Sequence, residues 1–109
     1  MSELPIEISV VELAERRKSG EAVRLLDVRE LWEFEQAHLE GADHIPMAQV
    51  PMHRETLAAD AEIICYCHTG RRSLMAAQWL RRAGVAGARS LAGGIEQWAV
   101  EIDPTVPRY

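Results

Sequence analysis

The sequence is most informative at Ile63-Ile64-Cys65-Tyr66-Cys67-His68-Thr69-Gly70-Arg71-Arg72-Ser73. Its first four residues are largely apolar, as expected of a short buried strand, and a loop that contains glycine follows them. We expect Ser73 to open the next helix. A loop between a strand and a helix directs successive backbone N–H groups into one concavity, where an anion is favoured. The sequence therefore predicts a cysteine thiol, that of Cys67, at the rim of an anion-binding loop.

Cys67 is predicted to be a reactive thiolate. The thiolate, and not the thiol, is the nucleophilic form of cysteine. A helix N-terminus, converging N–H donors, Arg71 and Arg72 all favour that ionised form. The alternative is that Cys67 is a small buried apolar residue, as free cysteines often are. Cys65, which lies within the apolar run, fits this structural description better.

The size and charge of the chain limit its organisation. It has 109 residues, 48% of them apolar, and a formal net charge of −5. We expect one domain over residues 1–109, with a core over about 8–100 and an irregular tail over 101–109. An acidic chain without a basic stripe is not expected to bind nucleic acid.

The sequence also indicates a location and a redox state. No apolar run approaches the ~18 residues of a membrane span, and residues 1–5 lack the pattern of a signal peptide. We therefore expect a cytoplasmic protein with no membrane partner, in which both cysteines are thiols. Cys65, Cys67, His53 and His68 do not reproduce the spacing of zinc ligands, so no metal site is predicted.

Strands and helices are predicted to alternate. Ser9, with Glu12 three residues later, predicts the start of a helix that Gly20 ends. Strands are predicted over residues 23–28, 43–46, 62–66 and 85–91, and further helices over 29–38, 52–58, 73–83 and after Gly93-Gly94. Leu31, Trp32 and Phe34 are expected to be available for the core. This order favours a parallel sheet covered by helices, with active loops at the carboxyl ends of the strands.

Four motifs resemble those of the single-domain rhodaneses, which are sulfurtransferases. They are Leu26-Asp27-Val28-Arg29-Glu30, His38-Leu39-Glu40-Gly41-Ala42 with Ile45-Pro46, Cys67 through Ser73, and Gly93-Gly94 with Trp98. Each motif alone is weak, but their order and spacing together are specific. The resemblance implies a three-layer α/β/α rhodanese-like domain with a central five-stranded parallel sheet.

The resemblance also implies a mechanism that passes through a Cys67 persulfide. Cys67 would take a sulfane sulfur from a small anionic donor, thiosulfate or another persulfide, and pass it to a thiophilic acceptor such as cyanide or a thiol. Asp27 and Arg29 are candidate supporting residues, and no metal or organic cofactor is required. The residues expected to bind the substrate are His68, Thr69, Gly70, Arg71, Arg72 and Ser73.

Several roles stay open at this point. Arg72 either contacts the substrate or pairs with a carboxylate such as Glu33 or Asp27 to brace the loop. Asp27 is interpreted mainly as structural, whereas Arg29 either forms a salt bridge to a nearby glutamate or takes part in substrate approach. In members of the resembled family that prefer thiosulfate, basic residues tend to follow the cysteine closely. Here His68 and Thr69 follow it instead, and this departure weakens thiosulfate as the natural donor.

Alternative functions remain beside a free sulfurtransferase. A persulfide relay that acts with a sulfur-donor or sulfur-acceptor protein would have the same loop, and a redox sensor would use the same cysteine. A cysteine-dependent phosphatase is less favoured. Such enzymes place five residues between cysteine and arginine, a spacing that suits a phosphoryl group, whereas four residues separate Cys67 from Arg72.

Overall fold

A computed structural model describes residues 4–60 and 62–109 of the chain. The predicted domain bounds also include residues 1–3 and Ala61, which lie outside the described residues. Strands and helices alternate, as expected. In chain order the elements are β1 Glu7–Ile8, α1 Val10–Lys18, β2 Arg24–Asp27, α2 Leu31–Gln36, β3 Asp43–His44, a 3-10 helix Met47–His53, α3 Arg54–Ala58, β4 Ile63–Tyr66, α4 Arg71–Arg82, β5 Ala88–Leu91 and α5 Gly94–Glu101.

The sheet has five strands in the order β1-β5-β4-β2-β3, and every neighbouring pair is parallel. Strand β4, which leads into the Cys67 loop, lies at its centre. The central five-stranded parallel sheet is therefore confirmed. No helix among residues 4–60 and 62–109 is long and apolar enough to cross a bilayer.

The core has two parts because the side chains of β4 alternate between the two faces of the sheet. Ile63 and Cys65 belong to a first cluster, which includes residues of α3 and α4. Ile64 and Tyr66 belong to a second cluster, which includes residues of α1 and α5. Burial on both faces explains the nearly continuous apolar character of β4 and produces the three α/β/α layers.

Helix α4 begins earlier than predicted. Arg71 is its first residue and Gly70, with a φ of 100°, is its N-cap. Ser73 therefore lies inside the first turn and does not open the helix. Its hydroxyl lies 2.8 Å from that of the buried Ser90 of β5. Ser73 therefore links the loop to β5 and does not cap the helix.

Other predicted elements differ in detail. Leu31 and Trp32 of α2 are exposed and do not belong to the core, because the buried residue of that short helix is Glu33. The helix predicted over 52–58 is α-helical only from Arg54, after the 3-10 helix that contains Pro51. The sequence does not predict β1, because two residues are too few to show a periodicity.

The turn Gly93-Gly94 allows α5 to pack against the backbone of the Cys67 loop. The N–H groups of Ile95 and Glu96 donate to the carbonyl oxygens of Cys67 and His68, at 2.9 and 3.0 Å. A Cβ on Gly94 would lie 2.5 Å from each of these oxygens. The loop is thus held through its carbonyl groups, and this contact requires glycine at position 94.

We expect Gly94→Ala to lower the free energy of unfolding clearly more than Gly20→Ala. Both variants place alanine at positive φ, 62° and 82°, which costs about 1–2 kcal/mol. Only at Gly94 does the added Cβ meet backbone atoms, since nothing lies within 4 Å of a Cβ at Gly20. Urea denaturation of both variants measures the difference. Equal losses would contradict the importance of this close contact.

Candidate active site

Cys67 lies directly after the carboxyl end of β4, and its side chain receives two backbone hydrogen bonds. The N–H groups of Gly70 and Ser73 donate to its Sγ at 3.1 and 3.3 Å. Cys67 is 1% exposed and packs in the first core cluster with residues such as Val28 and Ala76. The thiol is therefore inside the loop and not at its rim, where two N–H donors face any negative charge on sulfur.

The Ser73 hydroxyl connects the loop to the neighbouring strand. The Cys67 thiol donates to Ser73 Oγ at 3.4 Å, and Ser73 Oγ in turn donates to Gly70 O at 3.3 Å. Ser73 Oγ also lies 2.8 Å from Ser90 Oγ of β5. Ser90 is fully buried, and the sequence reasoning missed it. Its only signal is a small polar residue within a buried strand.

Arg72 forms a two-pronged ion pair with Glu33. Its Nη1 and Nη2 donate to the two carboxylate oxygens at 2.8 and 2.9 Å. Glu33 is buried, and the hydrogen bonds from Arg72 lower the pKa of its carboxyl to about 2. Of the carboxylates named from the sequence, Glu33 is thus the partner of Arg72, and the guanidinium braces α2 against α4.

Asp27 and Arg29 pair with each other in the interior. Arg29 is fully buried, and its Nε and Nη2 donate to the Asp27 carboxylate at 2.9 and 2.7 Å. Nη2 also donates to the carbonyl oxygen of Ala37 at 2.5 Å. The salt bridge of Arg29 is therefore to Asp27 and not to a glutamate. The pair lies beside Tyr66, the last residue of β4 before Cys67, since Asp27 is its neighbour on β2 and the Arg29 guanidinium lies 5.5 Å from the centre of its ring.

Tyr109 joins these charged residues, although the sequence predicts only an irregular tail here. Its hydroxyl donates to Glu33 Oε2 at 2.8 Å and accepts from Arg29 Nη1 at 2.7 Å. Its ring stacks on the imidazole of His68, with centroids 4.2 Å apart. Burial raises the pKa of Tyr109 to about 12, so the phenol keeps the proton that it donates. No sequence pattern links this tyrosine to the loop.

The other predicted loop residues lie further from the sulfur. The His68 side chain is 30% exposed, and its Nε2 lies 3.8 Å from Glu96 Oε1. Thr69 and Arg71 are exposed to solvent. The structure thus brings Gly70 and Ser73 to Cys67 Sγ. His68 contacts Tyr109, and Arg72 contacts Glu33. Thr69 and Arg71 are exposed.

Cys65 is the second cysteine, and its setting differs from that of Cys67. It is fully buried in β4, and burial raises the pKa of its thiol to about 12. Cys65 therefore stays protonated and fits its predicted structural role. In residues 4–60 and 62–109, no group of three or more His, Cys, Asp or Glu side chains is placed to hold a metal ion.

The chain is thus an α/β protein in which a loop that carries a cysteine follows the central strand of a parallel sheet. Residues 9–101 match the Rhodanese-like domain, and the chain belongs to this family. It is 32% identical over 93 residues to "Sulfurtransferase" of Allochromatium vinosum, which covers 85% of this chain and 87% of that protein. The family assignment made from the motifs is confirmed.

Two further proteins show the extent of the similarity. The chain is 37% identical over 92 residues to "Putative sulfur carrier protein YrkF" of Bacillus subtilis (strain 168), which covers 84% of this chain. The matched region spans 50% of the length of YrkF. Among solved structures, the human single-domain sulfurtransferase TSTD1 has a TM-score of 0.78 and 28% identity, covering 90% of this chain and 98% of that one.

Acid is expected to weaken the fold partly through Glu33. Its folded pKa of about 2 lies below its ordinary value of 4.5. The ion pair with Arg72 therefore contributes fully above pH 4.5 and is lost as the pH falls through about 2. Because Arg72 is 37% exposed, water screens the pair and limits its contribution to about 2 kcal/mol or less.

Glu33→Gln tests this pH dependence. Its free energy of unfolding should fall less than that of the wild type between neutral pH and about pH 3. Glu35→Gln, on the exposed side of the same helix, is the matched control and should follow the wild-type curve. A Glu33→Gln curve that is parallel to the wild type over this range would contradict the role given to the pair.

The Tyr109 hydroxyl is expected to stabilise the site by about 1–2 kcal/mol, because its removal leaves Arg29 and Glu33 each without one hydrogen bond. Tyr109→Phe removes the hydroxyl and keeps the ring on His68, whereas Tyr109→Ala removes both. Thermal unfolding should rank stability as wild type, then Phe, then Ala. A Phe variant as stable as the wild type would show that the hydroxyl contributes nothing.

Proposed function

We propose that this protein transfers a sulfane sulfur from a small anionic donor to a thiophilic acceptor through a persulfide on Cys67. The observation that carries the proposal is the pair of N–H donors, from Gly70 and Ser73, directed at Cys67 Sγ. Membership of the rhodanese-like family and similarity to sulfurtransferases support it. A reducing compartment such as the cytoplasm suits this chemistry, because Cys67 starts each cycle as a free thiol.

The reaction is divided into two displacements, and neither needs an oxidant or a reductant. In the first, the Cys67 thiolate attacks the outer sulfur of the donor. The bond between that sulfur and the rest of the donor breaks, and the remainder leaves with the electron pair, as sulfite when the donor is thiosulfate. In the second, the acceptor attacks the terminal sulfur of the persulfide, and Cys67 leaves as thiolate.

The loop has two roles in this scheme. The backbone N–H groups of Gly70 and Ser73 stabilise negative charge on sulfur in both displacements, as donors of an oxyanion hole do. Arg71, exposed at the first turn of α4, attracts the anionic donor. His68 and Thr69 lie next to the thiol along the chain and contribute to the mouth of the site.

Arg72, Asp27 and Arg29 have a positioning role. Both terminal nitrogens of Arg72 donate to Glu33. In this arrangement the guanidinium does not offer two parallel N–H donors to a phosphoryl group. This engagement and the four-residue spacing from Cys67 favour sulfur transfer over phosphate ester hydrolysis. Asp27 and Arg29 brace the framework through their buried pair.

Intact-mass measurement after incubation with thiosulfate or mercaptopyruvate tests the proposal. The wild type should gain one sulfur atom and lose it when cyanide is added. Cys67→Ala should gain none, whereas Cys65→Ala, the same change two residues earlier, should still be loaded. A gain of one sulfur atom by Cys67→Ala would contradict the role of Cys67. Turnover of a chromogenic phosphate ester without any gain of sulfur would favour a phosphatase.

A further inference from the structure

An apolar groove of about 320 Å³ lies between α4 and the 3-10 helix. The 3-10 helix contributes Met47, Val50 and Pro51, and α4 contributes Met75, Trp79 and Arg82. Met75 is 59% exposed and Trp79 is 36% exposed. Flexible methionines and a tryptophan at a surface suit recognition of another protein, because methionine adapts to different shapes and tryptophan fills pockets.

The groove lies on the side of the sheet that Cys67 faces. Val50, which lines the groove, belongs to the same core cluster as Cys67, and Met47 packs against that cluster. Met47 also marks the carboxyl edge of the sheet, since its N–H donates to Val28 O just beyond β2. Tyr109 packs against the second cluster, on the other face. The groove therefore lies on the same face of the sheet as the Cys67 side chain, and Met47 places one end of it at the carboxyl edge of the sheet.

The exposed face of α4 beside the groove carries positive charge. Arg71, Met75, Trp79 and Arg82 are spaced by four, four and three residues, so they share one face of α4. This stripe has an arginine at each end and apolar side chains between them. Within the part of the chain that the structure describes, no ion pair joins Arg71 or Arg82 to a carboxylate. The stripe is thus positive in a chain whose net charge is −5.

We propose that the groove binds a segment of a sulfur-acceptor protein in which apolar side chains are flanked by acidic residues and accompany a cysteine. The inference rests on the proposed function and adds the class of acceptor. Apolar residues would fill the space between Met75 and Trp79, and carboxylates would pair with Arg71 and Arg82. The acceptor thiolate then attacks the terminal sulfur of the Cys67 persulfide, and Cys67 leaves as thiolate with the bonding electrons.

Binding can be measured without chemistry by titrating the isotope-labelled full chain with the peptide Asp-Asp-Leu-Ser-Leu-Asp-Asp and recording amide NMR shifts. Serine replaces the reactive cysteine, so the result is independent of whether Cys67 carries sulfur. We expect saturable shifts at residues 47–52 and 71–82. Replacing the aspartates by lysines, or the leucines by serines, should weaken binding at least tenfold.

Variants locate the binding on the groove. Met75→Ser and Arg82→Glu should each weaken peptide binding severalfold, whereas Val100→Ser, at an exposed position on α5, should not. All three variants should keep the wild-type rate of sulfur transfer to cyanide. A second peptide, with cysteine in place of serine, serves as sulfur acceptor. Sulfur transfer to it from the loaded protein should be slower in Met75→Ser and Arg82→Glu and unchanged in Val100→Ser.

Several results would overturn the inference. These are the absence of saturable shifts, shifts confined to residues around His68 and Tyr109, and equal binding of the aspartate and lysine peptides. Shifts of the groove residues that depend on protein concentration without peptide would assign the groove to a second copy of the chain. Failure of sulfur loading with intact peptide binding would instead contradict the proposed function and leave the docking surface standing.

Discussion

The N–H groups of Gly70 and Ser73 donate to Cys67 Sγ, and the surrounding structure serves to hold those two donors in place. Gly70 adopts a φ of 100°, which a residue with a side chain rarely adopts. Ser73 is fixed by its hydroxyl contact with Ser90. Behind the loop, the N-terminal turn of α5 binds its carbonyl oxygens, and that approach requires Gly94. The two N–H donors to the sulfur are therefore backbone groups, and small residues set the shape of the loop that carries them.

Charged side chains form a second level of organisation around this loop. Arg72 is held by Glu33, Arg29 by Asp27, and Tyr109 joins the two pairs through its hydroxyl. Arg29 and Asp27 are fully buried, so loss of either partner would leave the other as an uncompensated charge. Arg72 and Arg29 thus brace α2, α4 and the tail around Cys67. Arg71 is exposed, and the proposed reaction assigns to it the attraction of the anionic donor.

Local patterns allowed most of the fold to be predicted, and contacts distant in sequence account for what was missed. The apolar run Ile63-Ile64-Cys65-Tyr66 identified the central strand because it is buried on both faces. The pairing of Arg72 with Glu33 was among the alternatives, since a buried arginine requires a carboxylate. The contact of Ser73 with Ser90 spans 17 residues, and that of Tyr109 with Glu33 spans 76. Neither leaves a periodic or spacing signal.

The most direct measurement of the central claim is the amide NMR spectrum of the protein before and after loading with thiosulfate. If the loop amides hold the anionic sulfur, the proton shifts of Gly70 and Ser73 will change more than those of other loop residues and will return when cyanide is added. Cys67→Ala should show no such change. A fully loaded wild-type protein in which these two amides do not respond would contradict the claim.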